Sequence, residues 1–211
     1  RRFYQHNGVD PQGILRAVVA QLGGGSEGAS TITQQYVRNM LLEKGYQEGD
    51  EDLVDEAREQ SIKRKLREMK YALTLETKLS KDDILTGYLN IAPFGPITYG
   101  VEAASQEYFS HPATQLSIVE SALLAGLVQS PVEYDPTLHP EAAQERRDQV
   151  LNAMLTNGYI TQEEHDEAVA VNVADMLHVD ERPQGCAGAG DAAYFCEFAK
   201  AEFLSDKSYG E

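Results

Sequence analysis

The stretch "IKRKLREMK" at residues 62–70 packs Lys63, Arg64, Lys65, Arg67 and Lys70 around one carboxylate, Glu68. Guanidinium and ammonium groups at that density suit an anionic ligand, Arg as a planar fork and Lys as a point charge. The contrast with the rest of the chain is large, because 34 acidic residues face 18 basic ones and the net charge is −16. A field of that sign repels nucleic acid, so no nucleic-acid partner is expected. A plainer reading is intrahelical pairing with the acidic run "EGDEDLVDEAREQ", in which Glu59 stands four residues before Lys63. Such pairs contribute only about 0.2–0.5 kcal/mol each. On a helical wheel Glu68 lies beside Arg64, Tyr71, Ala72 and Leu75, with Leu66, Met69 and Leu73 forming an apolar stripe opposite.

A second stretch that could do chemistry, "GASTITQQYVRN" at residues 28–39, follows the glycine-rich "LGGGSEG". Ser30 is placed to cap a helix, and steps of about 100° gather Ile32, Tyr36, Val37, Met40 and Leu41 on one half of the wheel. Thr31, Gln34, Gln35, Arg38 and Asn39 fall on the other half, which is rich in amides and hydroxyls rather than mixed charge. A solvent-facing amphipathic helix and a ligand-binding face fit this pattern equally.

The elements that must position these groups read as helices throughout, with no sustained strand alternation. Asp10 caps and Pro11 opens a helix that sets Ile14, Leu15, Val18 and Leu22 on one side. Residues 50–79 can form one long helix, polar first and apolar later. Capping boxes stand at Ser80/Asp83, Ser117/Glu120 and Thr161/Glu164, and "LSIVESALLAGLVQSP" predicts a helix buried on most sides. A helix in "EAAQERRDQVLNAMLTNG" stops at Gly158. The histidines His111, His139 and His165 read as surface or loop residues. These elements predict a compact all-α domain over 1–177, then a linker with one short helix, 192–204, inside 178–211. Cys186 and Cys196, ten residues apart with no His nearby, suit a local disulfide in an oxidising, extracytoplasmic compartment, against the alternative of two free thiols. No run reaches the 18 or so apolar residues of a membrane span.

Five motifs then agree in order and spacing: "GASTITQQYVRN", "RKLRE" (64–68), "KDDILTGYLN" (81–90), "YGVEAASQEYF" (99–109) and "ESALLAGLVQSPVEYDP" (120–136). Over 1–177 the chain resembles the peptidoglycan glycosyltransferase domain of class A penicillin-binding proteins, glycosyltransferase family 51. The tail, "AYFCEFAKAEFL", looks like the start of the linker toward a transpeptidase domain, as in actinobacterial members. The resemblance implies a lysozyme-like all-α fold that polymerises lipid II by inverting transfer and releases undecaprenyl diphosphate. It also implies an N-terminal membrane anchor and work at the extracytoplasmic face of the bacterial membrane. Its partners are then lipid II, the growing glycan chain, the membrane surface and other cell-wall synthesis proteins.

Carried over residue by residue, the resemblance matches "RRFYQHNGVD" to the first motif through Phe3, His6, Gly8 and Asp10. It places the general-base Glu two residues before Arg1, so the chain starting at Arg1 is expected to be inactive or slow. Glu68 takes the place of the second catalytic carboxylate, positioning the donor diphosphate directly or through a divalent cation such as Mg2+; no cofactor is otherwise required. Arg64 and Lys65 match diphosphate-binding positions. Ser30, Gln34 and Gln35 match contacts to sugar hydroxyls or phosphate, and Arg38 stands where the family usually has Lys. Tyr88 and Asn90 match the fourth motif, whereas Thr86 replaces a common Glu. Beside this site "LGGGSEG" is a candidate mobile flap. The alternatives are a non-catalytic scaffold that holds lipid-linked glycan and a lysozyme-like hydrolase.

Overall fold

The computed structural model describes residues 2–24, 28–59, 61–179 and 192–205. Its elements are a 3-10 turn, Phe3–Gln5, and the helices α1 (Pro11–Leu22), α2 (Ile32–Glu48), α3 (Glu51–Arg58), α4 (Ile62–Leu75), α5 (Lys81–Ile91) and α6 (Val101–Phe109). A second 3-10 turn, Ala113–Gln115, leads to α7 (Ile118–Leu127), α8 (Pro140–Thr156), α9 (Gln162–Ala170), α10 (Val173–Met176) and α11 (Ala193–Ser205). Among the described residues the only extended pairing is an isolated bridge, Pro93 to Tyr99. Two compact units result, Arg1–His178 and Val179–Glu211.

The core of the first unit sits where α5 to α8 and α10 meet, around Phe94, Tyr108, Leu123, Leu127 and Val173. Helix α7 is buried on most of its surface, as its Ala/Leu composition predicts: Ala122, Leu123, Leu124 and Leu127 are all buried. All three predicted capping boxes form. A second cluster, Leu151, Ile160, Ala168 and Ala122, joins α7, α8 and α9. Arg147 is fully buried beside it and donates to the carbonyls of Val169 (3.4 Å), in the last turn of α9, and Val171 (2.6 Å), just past its end.

Four local expectations are corrected. Residues 50–79 do not form one helix. Asp50 accepts from Leu53 N at 2.9 Å and Ser61 accepts from Arg64 N at 3.1 Å, so each caps a separate helix, and Glu59 ends the first as its C-cap. The pairing between the acidic and basic runs therefore crosses the break, from Arg67 to Glu56. The cap of α2 is Thr31, not Ser30; its hydroxyl accepts from Gln34 N while Gln34 Oε1 accepts from Thr31 N. The apolar side of α1 faces outward, with Leu15, Val18 and Leu22 exposed and Gly13 and Ala17 buried. The same inversion holds for α4: Leu66 and Leu73 are 61% and 49% exposed, while Glu68 and Ala72 are buried.

In the second unit α11 exposes Tyr194, Phe195 and Phe198. Cys196 is disulfide-bonded; Cys186 lies outside the described residues, as does the centre of the glycine-rich flap, 25–27. No described helix is long and apolar enough to cross a membrane.

Candidate functional site

The N-cap of α2 and the middle of α4 meet at Gly8. Its φ of +75° needs a glycine, and a Cβ there would lie 2.7 Å from the Ala72 backbone of α4. Its carbonyl accepts the Thr31 hydroxyl at 2.6 Å. The N-terminal segment is thus pinned between the cap of α2 and the middle of α4. Asp10 ends that segment, accepting from Gln12 N at 3.1 Å and lying 3.7 Å from Arg2. The Gly13 amide, ahead of the Arg2 charge, holds its carboxyl below the usual range.

A cavity of about 250 Å³ opens beside this junction, lined among others by Arg2, Phe3, His6, Asp10, Ser30 and Thr31. His6 and Phe3 meet edge to face at 6.3 Å. Burial first, and the Lys81 charge second, hold His6 below its ordinary 6.5, so near neutral pH it is an uncharged imidazole. Its Nδ1 is buried without a hydrogen-bond partner among the described residues, as is Arg2 Nε. The cavity wall therefore holds unspent polar atoms of both residues.

On the neighbouring side α4 presents its basic face. Arg64 bonds one Glu68 oxygen and the Glu59 carbonyl, and Lys65 lies 3.4 Å from the other Glu68 oxygen and also bonds Ser30 Oγ. Glu68 is 4% exposed, and its two cations carry one more charge than it does. The break before Ser61 makes this arrangement possible, because it starts α4 where Arg64, Lys65 and Glu68 share one face, three and four residues apart. Ser30 belongs to both the cavity wall and the basic cluster.

The remaining candidates sit differently. Gln34 is 2% exposed and spent in the capping box, with its Nε2 unpartnered among the described residues, so it faces the protein interior. Gln35 is half-buried and receives the Tyr88 hydroxyl at 3.1 Å. Arg38 is exposed one turn further along α2, near enough to influence the Tyr88 hydroxyl. Asn90 is exposed in the last turn of α5 and makes no side-chain hydrogen bond among the described residues. Ser30, Arg64, Lys65 and Glu68 are thus brought together, with Phe3 and His6 lining the cavity that Ser30 shares. Lys81, whose ammonium lies 4.5 Å from the centre of the Phe3 ring, carries no sequence signal for that contact. A divalent cation at Glu68 would have to displace Arg64 or Lys65, since both carboxylate oxygens face cationic donors. Among the described residues no three His, Cys, Asp or Glu side chains gather to hold a metal.

A helical domain that buries a carboxylate between two cations, beside a capped polar helix and a cavity, has the architecture of a lysozyme-like transglycosylase. The transglycosylase family matches residues 1–155, and the chain belongs to it. It is 40% identical over 178 residues to penicillin-binding protein 1A of Streptococcus oralis, covering 83% of this chain and 26% of that protein. With penicillin-binding protein 1A of Escherichia coli it shares 38% identity over 212 residues, covering 100% of this chain and 22% of that protein. The crystal structure of penicillin-binding protein 1A from Haemophilus influenzae superposes with a TM-score of 0.50 at 32% identity, covering 64% of this chain and 18% of that one. The chain spans about a quarter of the length of the curated relatives it matches.

Proposed function

We propose that this domain polymerises lipid II into peptidoglycan strands, with an acceptor 4-hydroxyl displacing undecaprenyl diphosphate from the anomeric carbon of the growing chain. The observation that carries this reading is the Ser30–Lys65–Glu68–Arg64 cluster. It holds one net positive charge on a preformed face, which suits the negative charge that develops as a diphosphate leaves. Arg64 and Lys65 would meet the diphosphate oxygens. Glu68 would orient both cations, since each of its oxygens faces one of them. The base is the Glu that the family places two residues before Arg1. Phe3 and His6 would line the sugar path, and Gln35, Arg38 and Asn90 would extend the polar surface along α2 and α5.

The setting we propose is the extracytoplasmic face of the bacterial membrane. The exposed apolar residues Leu15, Val19 and Leu22 on α1, with Ile62 and Leu66 on α4, support contact with a lipid surface. Cell-wall synthesis proteins are proposed as further partners, and a disulfide between Cys186 and Cys196 is part of the same extracytoplasmic reading.

The test extends the chain upstream through the expected Glu and follows polymerisation of lipid II, with Glu68→Gln alongside. Polymer from the extended wild type and about 10- to 100-fold less from Glu68→Gln are expected. Lipid II bound without polymer would overturn the enzyme reading in favour of a scaffold.

A further inference from the structure

We propose that Glu76 and Lys81 form a positioning pair that sets the N-terminal turn against the rest of the site, an inference that rests on the transglycosylase reading above. Glu76 is the C-cap of α4 and Lys81 the first residue of α5. Lys81 Nζ donates to Glu76 Oε1 at 2.7 Å, with the two side chains 19% and 6% exposed. The same Glu76 oxygen accepts the Thr33 hydroxyl of α2 at 2.6 Å, and Thr33 has no exposed surface. The Lys81 ammonium also lies over the Phe3 ring. One ion pair between consecutive helices thus joins four elements: the distant Phe3–Gln5 turn and α2, with α4 and α5. A second tether runs alongside, from the Tyr4 hydroxyl to Asp82 Oδ1 at 2.9 Å.

Neither member of the pair lines the cavity, so neither is placed to touch substrate. Both act through Phe3. A largely desolvated ammonium attracts the face of an aromatic ring more strongly than an exposed one, and Glu76 fixes where that ammonium sits. Phe3 contacts His6, and both line the cavity, so holding Phe3 sets the cavity wall. The family places its base just upstream, two residues before Arg1. The main core, around Phe94, Leu123 and Leu127, shares no residue with this network.

The experiment compares Lys81→Met, Lys81→Arg and Glu76→Gln in the chain extended upstream through the expected Glu, reading lipid II polymerisation and amide hydrogen exchange. Misplacing a reacting group by about 1 Å costs on the order of 10²-fold. Lys81→Met is therefore expected to lower kcat about 10- to 100-fold with KM changed less than about twofold. Lys81→Arg, which keeps a cation for both Glu76 and Phe3, is expected to recover most of that loss. The Gln5 amide, which donates to the Arg2 carbonyl at 2.9 Å, should exchange faster in Lys81→Met and Glu76→Gln while α8 amides keep their rates. Should Lys81→Met not fold, Lys81→Gln read by exchange decides the matter. Parent-like Gln5 exchange in the variants, or a parent-like kcat in Lys81→Met, would overturn the pair's role. A parent that makes no polymer instead removes the transglycosylase reading, and the exchange contrast at Gln5 still decides whether the pair holds the turn.

Discussion

Tyr88 donates its phenolic proton to the Gln35 side-chain oxygen at 3.1 Å, joining α5 to α2. Burial pushes the Tyr88 hydroxyl up to about 12, so it remains a donor throughout the physiological range. With its oxygen taken in this way, Gln35 presents its NH2 group away from Tyr88. Tyr88→Phe is expected to free the amide to rotate, at a stability cost of about 1 kcal/mol. Under the proposed function it lowers kcat/KM for lipid II several-fold. Urea melts and steady-state assays check both parts; unchanged kcat/KM would remove Gln35 from the substrate surface.

The Glu68 cluster makes a different prediction. Glu68→Gln leaves an amide that can still accept from one cation while its NH2 group repels the other. The variant's net local charge rises by one, so binding of inorganic diphosphate is expected to hold or tighten, while Arg64→Ala and Lys65→Ala weaken it about tenfold each. Calorimetric titration with diphosphate at low and high salt measures this. Equal affinity in all three variants would mean that the cluster is structural only.

Much of this architecture was legible from local signals. The three capping boxes, the Pro11 start and the buried Ala/Leu helix depend on neighbours three and four residues away, and periodicity finds them. The face of each helix was harder to read. Thr31 and Gln34 fall on the polar half of the wheel, yet both are buried, because Thr31 also reaches Gly8, 23 residues earlier, and Gln34 turns back to cap the helix. Glu68 defeats the apolar stripe of α4 for a similar reason: two cations offset the burial of its charge, and Leu66 is left outside. The basic cluster was visible because its members lie within one helical turn. Its link to Ser30 spans 35 residues and left no trace in spacing. The separation of α3 from α4 is hard to read because Ser61, which caps α4, stands inside a window of otherwise helix-favouring residues.

Arg147 carries a stability prediction far from the cluster. Its guanidinium is fully buried and holds the Val169 and Val171 carbonyls and the Asp148 carboxylate. Arg147→Ala empties that volume and leaves the carbonyls without their donor, which is expected to cost about 3 kcal/mol or more. Diphosphate affinity measured well below the melting temperature should stay at the wild-type value. A urea midpoint within error of wild type would show that the α8–α9 junction can find other donors.

His111 supplies the pH dependence. Its Nε2 faces Glu120 Oε1 at 3.0 Å and its Nδ1 faces the Pro112 carbonyl at 3.1 Å, so both nitrogens meet acceptors and both can donate only in the imidazolium. The ring also stacks on Phe109 at 5.9 Å, tying the end of α6 to the start of α7. The Glu120 hydrogen bond, then the Pro112 carbonyl, holds His111 above its ordinary 6.5. Burial pushes Glu120 up, but the Ser117 hydrogen bonds and His111 outweigh it and keep the carboxyl below 4.5. The His111 contribution is therefore complete below about pH 6.5 and fades as pH climbs through the raised folded value. The Glu120 contribution is complete above about pH 4.5 and fades as pH falls through its lowered one. Stability from this pair is greatest between the two. Urea midpoints at pH 5.5 and 8.5 are expected to fall more for wild type than for His111→Gln, the difference isolating this group from the other histidines. Parallel pH profiles for the two proteins would show that the charged latch contributes nothing.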